Sequence, residues 1–168
     1  MSFSFESYGV GAESMCTLAD LLCRDIFPAL RKLCFSGNPD ITDVGVVALA
    51  IALQETTQTY LMFLNLDDVG MGDGGIAALA SLVAQGRLEQ IAWLKFSGNN
   101  KLIDQGVITL AQAIEARGLP ILRVFTMRMI FKLRAVGITA IAQALTKGCP
   151  RLVSYKLTDF DPEEEDGL

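Results

Sequence analysis

A segment of this chain returns about every 30 residues, and this repetition restricts the possible folds more than any other feature of the sequence. The residues from Phe35 to Asn38 (FSGN) return two periods later as Phe96 to Asn99, and a glycine-led apolar segment follows each copy. Self-similarity at a period of roughly 20 to 50 residues is typical of solenoids, in which each repeat is a small unit stacked on its neighbours. The sequence therefore predicts a solenoid.

Each repeat starts with the pattern of a short strand. An apolar pair with one residue between its members recurs at steps of 30 or 31 residues, and another apolar residue stands three positions before it. Alternate side chains of a strand lie on the same face, so each pair should point into the core. The pairs are Phe3/Phe5, Leu33/Phe35, Leu64/Leu66, Leu94/Phe96, Phe125/Met127 and Tyr155/Leu157.

The second part of each repeat has the periodicity of a helix. Apolar residues recur at i, i+3, i+4 and i+7, which places them on one face of an α-helix. Because a helix separates each strand from the next, the strands must be parallel. One column should be buried between helix and sheet in successive repeats: Leu49, Leu79, Leu110 and Ile141.

The combined pattern is L-x-x-L-x-L-x-x-N, followed by Asp-x-Gly and an apolar helix, and it resembles the leucine-rich repeat of the ribonuclease-inhibitor type. The clearest matches run from Leu30 to Leu53 and from Ile91 to Ile114. The resemblance implies an α/β solenoid of horseshoe shape, with parallel strands on the concave face and helices on the convex face.

The motif asparagine is present in two repeats, as Asn38 and Asn99. The resemblance implies that both are buried and that their amides bond to the backbone of the turns. Val69 and Ile130 occupy the equivalent positions in two other repeats, so we expect a different group to satisfy the backbone there.

The repeats predict a single domain at residues 1–160, with about five strand–helix units, followed by an acidic tail at residues 161–168. The terminal repeats of a solenoid need polar caps, and the N-terminal repeat carries none. We therefore expect either a fragment of a longer solenoid or self-association end to end.

Composition argues against several classes of partner and location. The net charge is −5, whereas nucleic-acid binding usually requires a basic face, and the basic cluster Arg123, Arg128, Lys132 and Arg134 is interpreted as a solvated turn. The apolar runs are too short to span a membrane, and the N-terminus lacks the features of a signal peptide. The four cysteines have no metal-site spacing, and we expect buried or partly buried free thiols in a cytoplasmic protein.

Two short motifs suggest a cofactor or a metal, and we expect neither. Gly70, Gly72 and Gly75 match a dinucleotide fingerprint, but the repeat itself explains Gly75, and no acidic residue ends the next strand. Asp67, Asp68 and Asp73 crowd one turn without the spacing of a calcium loop, and read better as an acidic rim. The chain has no histidine, which excludes Ser-His and Cys-His nucleophiles.

Residues beside the buried strand pairs should form the concave surface. Phe63, Trp93 and Val124 stand in one column of successive repeats, where the terminal repeats have Ser2 and Ser154. Adjacent strands lie about 4.8 Å apart, so the three should form one apolar strip. Trp is enriched at binding hot spots, which favours a partner-binding surface. The strip should be edged by Asn65, Asp67, Asp68, Lys95 and Arg128.

Two functions follow from this surface and from the resemblance. The aromatic strip favours a non-enzymatic module that binds a protein partner, whose identity the sequence does not give. The resemblance also implies an alternative, because some relatives act as regulatory or GTPase-activating repeat domains towards small GTPases. Such a role would need a polar, pre-organised site on the rim.

Overall fold

Strands and helices alternate along the chain. The computed structural model describes residues 1–24, 26–56 and 60–157; the end of the predicted domain (158–160) and the acidic tail (161–168) lie outside the described residues. The strands are β1 (Ser2–Ser4), β2 (Lys32–Cys34), β3 (Phe63–Asn65), β4 (Trp93–Lys95), β5 (Val124–Thr126) and β6 (Ser154–Lys156). The helices are α1 (Ala12–Cys23), α2 (Thr42–Glu55), α3 (Asp73–Ala84), α4 (Asp104–Arg117) and α5 (Ala135–Gly148).

The strands form one parallel sheet in chain order, from β1 to β6. Each strand pairs in register with the next, so that Leu33, Leu64 and Leu94 are direct neighbours. All three are buried, and the residues before them are more exposed, because the helices cover only one side of the sheet. The predicted α/β solenoid with parallel strands is thereby confirmed.

The core lies between this covered side of the sheet and the apolar stripes of the helices. The predicted helix column is buried throughout, with at most 1% of each side chain exposed: Leu49, Leu79, Leu110 and Ile141. Aromatic residues add to the core where repeats meet. The rings of Phe96 and Phe125 pack edge to face at 5.8 Å, and those of Phe5 and Phe35 stack at 5.6 Å.

The two motif asparagines each bond the backbone of two successive turns. Asn99 is fully buried, and its Nδ2 donates to the carbonyls of Leu66 and Phe96 at 2.8 and 2.7 Å. Its Oδ1 accepts the N–H groups of Val69 and Met71 at 3.2 and 3.0 Å. The turn that has Val69 in place of asparagine is thus satisfied by the asparagine of the following repeat.

Asn38 acts in the same way one pair of repeats earlier. It is 1% exposed, and its Nδ2 donates to the carbonyls of Phe5 and Phe35, both at 2.7 Å. Its Oδ1 accepts the N–H of Val10 at 2.9 Å. The predicted burial and backbone bonding of both asparagines are confirmed, and the bonding joins β1 to β2 and β3 to β4 at their turns.

A second set of side chains links the helix N-termini of successive repeats. Asp73 at the start of α3 accepts the N–H of Ile103, just before α4, at 3.0 Å. Asp104 at the start of α4 accepts the N–H of Arg134, just before α5, at 2.8 Å. Helix N-termini have unpaired N–H groups and favour negative charge, so each carboxylate caps the helix of the next repeat.

The glycine column makes room for these carboxylates. A Cβ atom on Gly106 would lie 2.6 Å from Asp73 Oδ1, and one on Gly137 would lie 2.6 Å from Asp104 Oδ1. Both distances are too short for a real side chain. Gly106 and Gly137 are therefore required by the aspartates of the repeats that precede them.

The expectation of burial was right for two of the four cysteines and wrong for the other two. Cys34 and Cys149 are buried, and burial raises the pKa of the Cys149 thiol to about 11. Cys16 and Cys23 are exposed free thiols on α1. They directly follow Met15 and Leu22, which face the core, and one step along a helix turns a side chain by about 100° away from that face.

We expect Leu79→Ala to lower the free energy of unfolding by about 2–5 kcal/mol, because it removes buried methyl groups and leaves a cavity. The measurement is urea unfolding followed by circular dichroism. Ile51→Ala is the matched control, since Ile51 is a helical side chain that is 54% exposed, and its effect should stay within about 0.5 kcal/mol. Equal effects of the two substitutions would show that the helix register is wrong.

Asn99→Ala should cost about 1–3 kcal/mol of unfolding free energy, because it leaves buried N–H and C=O groups of two turns without partners. Asn38→Ala should have an effect of similar size for the same reason. The neighbouring Asn100 is exposed, and Asn100→Ala should change the stability by no more than about 0.5 kcal/mol. A loss no larger for Asn99→Ala than for Asn100→Ala would contradict the bonding described for these turns.

Candidate functional site

The side of the sheet that faces away from the helices, here termed the open sheet face, carries the predicted site. Its first row contains Lys32, Phe63, Trp93 and Val124, which are paired directly across β2 to β5. The apolar strip consists of Phe63, Trp93 and Val124, and the structure brings these three side by side, as the register predicted. All three are partly buried by their neighbours.

Two aromatic rings belong to the apolar strip, and the ammonium group of Lys32 lies beside one of them. The ring centroids of Phe63 and Trp93 are 6.4 Å apart, with the planes tilted by 40°. The Nζ of Lys32 lies 4.8 Å from the centroid of the Phe63 ring, within the range of a cation–π contact. The predicted site did not include Lys32, because the conformation of a long side chain cannot be read from a register.

Asn65 belongs to a second row, formed by the residues that follow the buried strand centres. Its side chain is turned into the structure rather than towards solvent. It is only 8% exposed. Its Oδ1 accepts the backbone N–H of Asp67 at 2.9 Å. Asn65 therefore offers little surface to a partner and positions the next residue of the predicted site.

Asp67 belongs to a third row, two positions after the second row in each repeat. It begins a chain of hydrogen bonds along this row. Its Oδ1 accepts the N–H of Ser97 at 2.6 Å, and the Oγ of Ser97 accepts the N–H of Arg128 at 3.1 Å. Burial raises the pKa of the Asp67 carboxyl, while the Ser97 N–H and the charge of Lys95 partly oppose this rise. Ser97 was not predicted as part of the site, and it connects Asp67 to Arg128.

Asp68 lies on the rim of the open sheet face. It is exposed and has a left-handed backbone conformation with φ of 50°. Gly37 and Gly98 have positive φ at the equivalent position of their repeats. Aspartate tolerates this conformation better than most residues do, so the turn keeps its shape while adding a second carboxylate beside Asp67.

The glycine-rich turn before α3 binds a carboxylate of the chain itself, that of Asp43. Asp43 Oδ1 accepts the N–H groups of Gly72 and Gly75 at 2.6 and 2.8 Å. This is the place at a helix N-terminus where a phosphate would bind in a dinucleotide site. The fingerprint of this turn is therefore explained by capping from the preceding repeat.

The basic cluster of the sequence is divided by the fold. Arg123 directly precedes β5, whereas Lys132 and Arg134 follow it, at the other end of the strand. Arg134 Nε lies 2.6 Å from Asp104 Oδ2. The Arg134 backbone N–H, together with its guanidinium, lowers the pKa of Asp104 although burial opposes this shift.

In the described part of the chain, no helix has the length and apolar character needed to cross a membrane.

Comparison with known proteins agrees with this repeat architecture. Residues 28–50 match the model of a family described as Leucine Rich repeat. They comprise β2, the turn with Asn38 and the first part of α2. A search of the curated proteins gave no match. With the alternating strands and helices, the match identifies the fold as a leucine-rich repeat α/β solenoid, and the ribonuclease-inhibitor type stays a prediction from the resemblance.

Asp67→Asn should raise the urea midpoint of unfolding at neutral pH. Because the folded-state pKa of Asp67 is raised, ionisation of this group favours the unfolded state as the pH rises through that pKa. An asparagine is neutral and can still accept the N–H of Ser97. The advantage of the variant should therefore shrink as the pH falls through the pKa of Asp67 and the wild-type carboxyl becomes protonated.

The matched control for this experiment is Asp68→Asn, which removes the same charge from the exposed neighbouring residue. It should change the midpoint little at either pH. A lower midpoint for Asp67→Asn than for wild type at neutral pH would refute the assigned cost of burying this carboxylate.

Proposed function

We propose that this protein is an interaction module that binds a protein partner on the open sheet face of its solenoid. The observation that carries the proposal is the pair Phe63 and Trp93, two large aromatic side chains that remain partly accessible on that face. A leucine-rich repeat fold is compatible with many unrelated functions, so the proposal rests on this surface and not on the fold.

The composition of the surface matches the usual organisation of a binding hot spot. Hot spots combine aromatic anchors with a polar surround that excludes water once the partner is bound. Here the anchors are Phe63 and Trp93, which already contact each other and need little further ordering. Around them lie the charged residues of the predicted site: Asp67, Asp68, Lys95 and Arg128.

We further propose that the protein acts by binding and not by catalysis. A GTPase-regulating role would need polar groups on the rim that are available to a nucleotide or to a catalytic water. The carboxylates of Asp43, Asp73 and Asp104 instead accept backbone N–H groups of the next repeat. GTP hydrolysis by a panel of small GTPases, measured with and without this protein, distinguishes the two functions.

We also propose a cytoplasmic location. The four cysteines are free thiols, and exposed free thiols such as Cys16 and Cys23 persist in a reducing compartment. Oxidation state in cell extracts, measured by alkylation and mass spectrometry, tests this location.

Trp93→Ala should weaken binding of a protein partner by about 2 kcal/mol or more, because it removes the largest anchor of the apolar strip. The free energy of unfolding should stay within about 1 kcal/mol of wild type, since Trp93 is outside the core. The measurement is capture of partners from cell extract on both proteins, followed by calorimetric titration of each partner identified.

The control for this experiment is Phe131→Ala, an aromatic truncation in the turn after β5, where the side chain is 78% exposed. It should leave binding unchanged. The proposal fails if Trp93→Ala binds every identified partner as wild type does and loses its stability, because Trp93 would then be a core residue.

A further inference from the structure

The open sheet face has a charge opposite to that of the whole chain. The face has three rows of residues. In each repeat they are the residue before the buried strand centre, the residue after it, and the residue two positions after that one, as in Phe63, Asn65 and Asp67. In the described part of these rows there are four basic residues (Lys32, Lys95, Arg128, Lys156) and two acidic residues (Glu6, Asp67), which gives +2 against −5 for the chain. The face is thus a basic area on an acidic protein.

Three carboxylates lie on the open sheet face or its rim, those of Glu6, Asp67 and Asp68. Glu6 follows β1, which is three strands from Trp93 in β4, or about 14 Å at the usual strand spacing. The carboxylate of Asp67 accepts the N–H of Ser97 at 2.6 Å and is partly buried. Lys95 interacts with the Asp67 carboxylate, whereas Lys32 Nζ lies against the Phe63 ring. With Asp68 counted, four basic residues stand against three acidic ones, so the face keeps a basic excess.

One basic group contacts an aromatic ring of the strip, and others are close to the strip in sequence. Lys32 Nζ is 4.8 Å from the centre of the Phe63 ring. Lys95 lies two residues after Trp93 in the same strand, so both side chains point to the same face. Two exposed arginines, Arg31 and Arg123, directly precede Lys32 and Val124, the first residues of β2 and β5.

We infer that the partner presents an acidic peptide segment that carries a large apolar side chain. This inference rests on the proposed function of the same face. The apolar side chain would pack against Phe63 and Trp93, and flanking carboxylates would lie near Lys32 and Lys95. The row from Lys32 in β2 to Val124 in β5 spans about 14 Å, which an extended segment of about four or five residues covers.

An acidic peptide fits this face better than a nucleic acid does. A nucleic acid brings a continuous row of phosphates, which would also meet Asp67, Asp68 and the net negative charge of the chain. A peptide can place a few carboxylates beside the basic residues and an apolar group on the strip. Charge complementarity of this kind sets partner selection and the rate of association.

Selection from a library of random peptides tests the inference without a known partner. Peptides that bind wild type are counter-selected against Trp93→Ala, and their net charge and apolar content are compared with the unselected library. We expect acidic peptides with a leucine or an aromatic residue, whose binding weakens as salt is raised. A single-stranded oligonucleotide is titrated in parallel, and Trp93-dependent binding of it in place of acidic peptides would overturn the inference.

The outcomes separate this inference from the proposed function. Trp93-dependent peptides that are neutral or basic would overturn the acidic partner and leave the binding face standing. A selection without any Trp93-dependent peptide would count against both.

A charge reversal then tests the basic residues directly. Trp93 is the only tryptophan of the chain, so its fluorescence reports binding of a selected acidic peptide in variants that retain it. Lys95→Glu and, independently, Lys32→Glu should raise the Kd about fivefold or more, since each replaces an attraction by a repulsion.

Lys132→Glu makes the same change of charge at an exposed position in the turn after β5 and should leave the Kd unchanged. The thermal midpoint of each variant is measured first to verify folding. Unchanged affinity in both folded reversals, or equal effects of all three substitutions, would overturn a specific role for the basic residues of the open sheet face.

Discussion

Each repeat of this protein leaves backbone groups that only a neighbouring repeat can satisfy, and this constraint fixes the geometry of the solenoid. Asn99 completes the turns of two repeats, and Asp73 caps the helix of the repeat after its own. An unpaired buried donor or acceptor costs about 1–3 kcal/mol, so sliding of one repeat against the next would break several such bonds at once. The strands are therefore held in register, and residues at equivalent positions form continuous rows, including the row of Phe63 and Trp93.

The same register separates the requirements of folding from those of binding. The centre of each strand, such as Leu64 or Leu94, is buried and must be apolar. Phe63 and Trp93, which precede these centres, and Asp67, three residues after Leu64, are partly accessible, so the core leaves freedom in the choice of residue there. Asp67 shows that this freedom has been used at a cost, because its burial raises the pKa of a carboxyl that a neutral residue could replace. Sites that are less stable than they could be are characteristic of functional surfaces.

The fold could be predicted from the sequence because its signal is local and repeated, whereas the details of the site depend on contacts between repeats. The apolar periodicity was sufficient to place Leu79 in the core and Trp93 on the open sheet face. It did not reveal that Asn65 is buried beneath Asp67, or that Asp43 fills the glycine-rich turn of the next repeat. The Asn65 contact depends on a side-chain conformation within its own turn, and the Asp43 contact joins residues of successive repeats about 30 residues apart. For Cys16, burial was expected because the cysteines lack the spacing of a metal site, although the helix register turns this side chain outward.

The position of Lys32 shows how one residue can serve both solubility and selection on such a surface. Accessible aromatic side chains on a flat sheet promote association between copies of a protein. The ammonium group of Lys32 lies 4.8 Å from the centre of the Phe63 ring. An excess of basic residues on a face opposes its pairing with an identical face. Under the proposed binding mode, the same charges attract an acidic segment. Attraction of that class of partner and repulsion of the identical face then have a single physical origin.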